Sequence, residues 1–116
     1  MVLKRGVVIQ RLIDGVSFAN GAIQGNISNA GDVLLVSTPA FYVMDEKGVV
    51  QDRGALQDFF LPPGEQTAFN MRVSPKITAG KYTAFLQFDF GDADLLLKEI
   101  DFSKNQSGEI KISGVR

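Results

Sequence analysis

The chain has 116 residues, 12 basic and 13 acidic side chains for a net charge of −1, and no cysteine, histidine or tryptophan. That length supports one domain with a core of its own, while the missing residue types exclude a disulfide framework, a thiolate nucleophile, a Cys/His zinc site and a histidine general base. Acidic and basic residues are interspersed with no basic run, so nothing favours phosphate neutralisation, and nucleic-acid binding is not expected.

No stretch approaches the ~20 apolar residues needed to span a bilayer, and insertion into a membrane is not expected. Met1-Val2-Leu3-Lys4-Arg5-Gly6 has no apolar leader core and no cleavage-site pattern. Two settings stay open: a cytoplasmic protein, or a domain of a longer exported chain, periplasmic or at the cell surface. Strand-like sequence begins almost at once, which favours the second.

Apolar residues alternate or come in short runs, with Gly, Asn-Gly, Asp-Gly or Pro punctuating them every 8 to 14 residues. That spacing predicts an antiparallel sandwich or barrel. Val7 to Ile13 reads as a first strand stopped by Asp14-Gly15, and Asn20-Gly21 as a turn into Ala22 to Ser28. Asn29 to Asp32 forms a tight turn into Val33 to Ser37, and Pro39, which cannot donate a ladder hydrogen bond, interrupts before Ala40 to Met44 and marks an edge, a bulge or a strand switching sheets. Glu46-Lys47-Gly48 makes a hairpin turn into Val49 to Gln51, and Ala55 to Leu61 runs into the Pro62-Pro63-Gly64 loop.

Gln66 to Val73 sets Phe69, Met71 and Val73 on one face. The strongest signal is Lys81 to Phe90, where Tyr82, Ala84, Leu86, Phe88 and Phe90 share one face because the side-chain period is two. A face that apolar must lie against a second layer, so this is a central strand. Gly91 to Asp94 turns into Leu95 to Phe102, with Leu96, Ile100 and Phe102 as core, and Ile110 and Ile112 mark a short added strand in the tail. Seven to nine short strands in about 100 residues predict an all-β, antiparallel, immunoglobulin-like β-sandwich filling residues 1–116.

Ile77-Thr78-Ala79-Gly80-Lys81-Tyr82 resembles the corner before strand F of fibronectin type III and related bacterial immunoglobulin-like domains, where a tyrosine hydroxyl bonds back to the backbone. In matching order, Ile27 to Asp32 resembles the end of strand B, Val43 to Val50 a "D-x-x-G-x-V-V" hairpin, and Leu61 to Glu65 an "L-P-G-E" loop before strand E. Across about residues 22–102 the pattern is similar to the second domain of exported pilus-chaperone-like proteins. That resemblance implies a structural corner at Gly80 and Tyr82 and a non-catalytic module. The small intracellular proteinase inhibitors of bacilli share the hairpin, the loop and the "G-x-Y" strand start, and form an alternative.

Asp89, Asp92 and Asp94 form one cluster of potential calcium ligands, but a solvated turn accounts for the same residues, and no metal is assigned. Asp45, Glu46 and Asp52 flank a second hairpin beside Lys47 and Arg53, without an aromatic platform for a sugar. Ser17, Ser28 and Ser37 lack any base, so nucleophilic catalysis is rejected.

Strict alternation turns Phe60, Phe85, Leu95 and Leu97 outward, where exposed apolar side chains mark either a contact surface or a face covered by the chain itself. The sequence thus points to an immunoglobulin-like module of an exported or envelope bacterial protein. It would act through protein contact, self-association included, or as a spacer, with no cofactor. A carbohydrate-binding sandwich is a further alternative, disfavoured by two tyrosines and no tryptophan.

Overall fold

The computed structural model describes residues 11–90 and 95–116, which form nine strands and no helix. The strands are β1 (Arg11–Ala19), β2 (Ala22–Asn29), β3 (Leu35–Asp45), β4 (Val50–Ala55), β5 (Phe59–Leu61), β6 (Gln66–Arg72), β7 (Gly80–Asp89), β8 (Leu95–Lys104) and β9 (Ile110–Val115). One sheet has the order β1-β2-β6; the other runs β4-β3-β7-β8-β9, with β5 also paired to β3. Every pairing is antiparallel. The chain is an immunoglobulin-like β-sandwich.

Alternation builds the core from both sheets. Ile23 and Ile27 of β2 and Phe69 and Met71 of β6 face Val43 of β3 and Ala84, Leu86 and Phe88 of β7, all of them buried. β7 lies between β3 and β8, as a strand with one wholly apolar face requires. Phe69 and Phe88 meet edge to face across the layers, with centroids 5.8 Å apart, the arrangement that the ring quadrupole prefers. Gly25 makes room for this packing. A Cβ there would lie 2.6 Å from the Phe69 ring.

Two breaks expected from the sequence are continuous strands instead. β1 passes through Asp14-Gly15, because the left-handed Gly15 (φ 63°) serves a bulge between Asp14 and Ser17 and pairing with β2 then resumes. The chain reverses only at Asn20 (φ 53°) and Gly21 (φ 78°), a two-residue hairpin with both φ values positive. Residues 7–10 of the expected first strand lie outside the described residues.

β3 likewise runs unbroken through Pro39. On one side Pro39 pairs with Phe88 of β7; on the other, pairing with β5 stops at Ser37, opposite Phe59, and pairing with β4 begins at Ala40, opposite Ala55. The Pro39 carbonyl accepts from Leu56 N at 3.1 Å on that second side. A strand residue's N and C=O point to the same neighbour, so the missing donor falls in the gap between the two partners. The ladder loses nothing there.

Two polar devices pin the ends of the sandwich. Buried Asn29 donates through Nδ2 to the carbonyls of Val33 at 2.6 Å and Leu61 at 2.8 Å, while its Oδ1 accepts from Gly31 N at 3.0 Å. Its backbone pairs with Glu65 and Gly64, so one residue ties the end of β2 to the loop between β5 and β6. At the other corner the Tyr82 hydroxyl donates to the Thr78 carbonyl, and the Tyr82 ring stacks on Phe102 with centroids 5.5 Å apart.

Candidate interaction surface

The outer face of the large sheet carries four of the exposed large apolar side chains, while Leu34 and Val49 lie outside the strands and Val115 stands on edge strand β9 opposite inward-facing Ile100. Phe60 is 73% exposed and stands opposite Val36, which is 42% exposed, across the β3–β5 pair. Leu95 (44%) and Leu97 (54%) project from the same face of β8, opposite Asp89 and Gln87 of β7. Phe85 is half-buried because Tyr42 of the neighbouring strand stacks on it, with ring centroids 4.8 Å apart and planes within 14°.

The small sheet is different. Its outer positions on β2 and β6 carry Gln24, Asn26, Ser28, Gln66, Ala68, Asn70 and Arg72, a largely polar face of the kind antiparallel sheets show to water. Large exposed apolar side chains therefore stand on the outer face of the large sheet and not at these positions of the small one.

Register places a row of five side chains across the large sheet. Arg53 of β4 pairs with Tyr42, Tyr42 with Phe85 and Phe85 with Glu99, and the backbone of Arg116, just past β9, pairs with Glu99. The Arg116 guanidinium bridges Glu99 at 3.0 Å and Asp101, and Thr83 Oγ1 donates to Asp101 at 2.8 Å. The hydrogen bonds from Arg116, and secondarily from Thr83, hold the Asp101 carboxyl below the usual carboxylate range. The two carboxylates in turn raise the Arg116 guanidinium above its ordinary value, so it stays charged. Arg53 makes no ion pair or hydrogen bond through its side chain among the described residues.

Beside Arg53, the residues Ala40, Phe41, Tyr42, Val50 and Gly54 line an open groove of about 500 Å³. Gly54 lets the Phe41 ring approach β4, since a Cβ there would meet it at 2.9 Å.

Two of the acidic residues named from the sequence, Asp45 and Asp52, serve the backbone. Asp45 caps its hairpin, accepting from Lys47 N at 2.9 Å, Val49 N at 3.0 Å and Gln51 Nε2 at 2.8 Å. The Val49 bond is foremost in holding its carboxyl below the usual range. Asp52 accepts from Ser74 N at 3.2 Å and links β4 to the segment after β6. Asp89 is exposed on the outer face of β7, while Asp92 and Asp94 lie outside the described residues. Among the described residues no group of three or more His, Cys, Asp or Glu is gathered to hold a metal. No helix among them is long and apolar enough to cross a membrane. Ser37 is buried and its hydroxyl has no hydrogen-bond partner among the described residues.

No protein-family profile and no curated protein matches the chain. Among solved structures it is similar to β-glucosidase 3B from Thermotoga neapolitana. In the complexes with glucose and with glycerol the TM-score is 0.50 at 18% identity, covering 92% of this chain and 17% of that one. The complex with α-D-glucose gives a TM-score of 0.47 at 20% identity, over 93% and 17% of the two chains. The chain spans 17% of the length of the structures it matches, and the likeness is one of fold.

Proposed function

We propose that this chain is a non-catalytic immunoglobulin-like module that works by presenting the outer face of its large sheet to another protein. The observation that carries the reading is the asymmetry between its faces. On β2 and β6 one face carries polar side chains and a single small apolar one, Ala68, at its outward positions, whereas the other exposes Phe60, Leu95, Leu97 and Val36. Monomeric soluble proteins seldom expose large contiguous apolar patches away from a contact site. A sequence without cysteine or histidine also supports a role in which no chemistry is performed.

The corner at Thr78 and Tyr82 supports the finer kinship with fibronectin type III-like bacterial domains. With that kinship goes a place in a larger exported or envelope protein, as a contact module or a spacer. A fold match confined to 17% of a much longer chain is in keeping with such modular use.

Photo-crosslinking from position 60 in the native host tests the reading, with position 88, buried in the core, as the control. Protein adducts from position 60 and none from position 88 are expected. An absence of adducts from both overturns a contact role.

A further inference from the structure

We infer that the partner of this face is a second copy of the chain, packed sheet on sheet about a two-fold axis parallel to the strands between β3 and β7. This rests on the contact reading above and gives the contact an occupant. Face-to-face sheets pack about 10 Å apart with strands within about 30° of alignment. A two-fold axis in that plane exchanges left and right, so β4 lies over the partner's β8 and β3 over the partner's β7.

The row across the sheet is complementary to itself under that exchange. Arg53 and Glu99 stand three strands apart, about 14 Å at ordinary strand spacing, and on opposite sides of the axis. Each Arg53 faces the partner's Glu99, and each Tyr42 faces the partner's Phe85. Arg53 has no ion partner within the chain among the described residues. Glu99 gives only Oε1 to Arg116, at 3.0 Å, and a carboxylate with two oxygens accepts further donors. One row towards the apolar end, Ala55 lies over the partner's Leu97, a small residue against a large one. Beyond them Phe60, on the β4 side, lies over the partner's β8 next to Leu95.

The areas agree with a weak dimer. Phe60, Leu97, Leu95 and Val36 at their observed exposures present roughly 400 Å² of apolar surface. A standard interface buries about 800 Å² per partner, of which a little over half is apolar. One copy supplies that share, at the lower end. Like charges would oppose in any arrangement that set Arg53 over Arg53, so the charges select the axis as well as the face.

Analytical ultracentrifugation of the wild-type chain from about 1 to about 500 µM, a range suited to an interface of this size, is expected to show a concentration-dependent monomer–dimer equilibrium. Arg53→Glu and Glu99→Lys should each weaken it by about tenfold or more through like-charge opposition. An equimolar mixture of the two variants should recover wild-type affinity, because both contacts of the heterodimer are then oppositely charged. Phe60→Ser should weaken the dimer without changing that pattern, and melting curves establish that each variant is folded.

A wild-type chain that stays monomeric throughout overturns the inference. So does a dimer indifferent to both charge reversals, or a mixture that fails to reassociate. Crosslinking at position 60 separates the two levels of the reading: adducts to other proteins alone leave the contact role standing and remove the second copy, and no adducts remove both.

Discussion

Replacing Asn29 by alanine tests how the end of β2 is fastened. The side chain makes three hydrogen bonds, two donated to the Val33 and Leu61 carbonyls and one accepted from Gly31 N. Each is worth about 1 kcal/mol net, and stranding the buried Leu61 carbonyl adds about 1 kcal/mol more, so roughly 3 to 4 kcal/mol should be lost. That is a large part of the 5 to 15 kcal/mol typical of a domain. At about 4 °C per kcal/mol for a chain of this size, the melting temperature should fall by roughly 12 to 16 °C.

Urea unfolding followed by circular dichroism measures the same loss, as a midpoint lowered by about 2 M for a slope near 1.5 kcal/mol/M. Asn29→Asp is the sharper variant. An ionised carboxylate cannot donate to either carbonyl, so at neutral pH the loss should equal or exceed that of alanine. A deficit below about 1 kcal/mol in both variants would refute the reasoning that these bonds hold the β5–β6 loop against β2.

Tyr82→Phe removes only the hydroxyl bonded to the Thr78 carbonyl and keeps the ring on Phe102, so a loss of about 1 to 1.5 kcal/mol is expected in the same urea assay. Ser37→Ala removes a buried hydroxyl that has no partner among the described residues, and thermal melts should show a neutral to stabilising change, up to about 1 kcal/mol. Asp45 and Asp101 have folded-state pKa values below their unfolded ones. Their contribution is therefore fully present above about pH 4 and is lost as the pH falls through the depressed values. Unfolding midpoints measured from pH 5 down to about pH 2 should decline, and Asp101→Asn should flatten part of that decline while lowering stability at pH 7.

Much of the architecture was legible because burial in a sandwich follows period two. Phe69, Met71 and Val73, and Tyr82, Ala84, Leu86 and Phe88, read as inward positions, and they are buried. The two misread breaks share a cause. Gly15 and Pro39 are residues that end strands when judged locally, yet in the sheet one accommodates a bulge and the other stands where a missing donor costs nothing. Both outcomes depend on the neighbouring strand, which no local pattern reports. Asn29 could be placed in a turn motif, but its reach to Leu61 spans 32 residues and needs the fold. The alignment of Arg53 with Glu99 was likewise hidden, because it exists only once three strand registers are added together.

Pro39 has a mechanical consequence. Because β3 changes partner at that residue, the segments β4 and β5 are attached to it by separate ladders, with the Leu56–Pro39 bond at the end of the β4 side. Either segment can fray from β3 without loosening the other, so amide protons on the two should exchange with independent opening energies. Phe60 rides on the shorter of them, a three-residue strand, whereas the groove beside Arg53 is built on β3 and the longer β4, so exchange should be faster at Phe60 than around the groove.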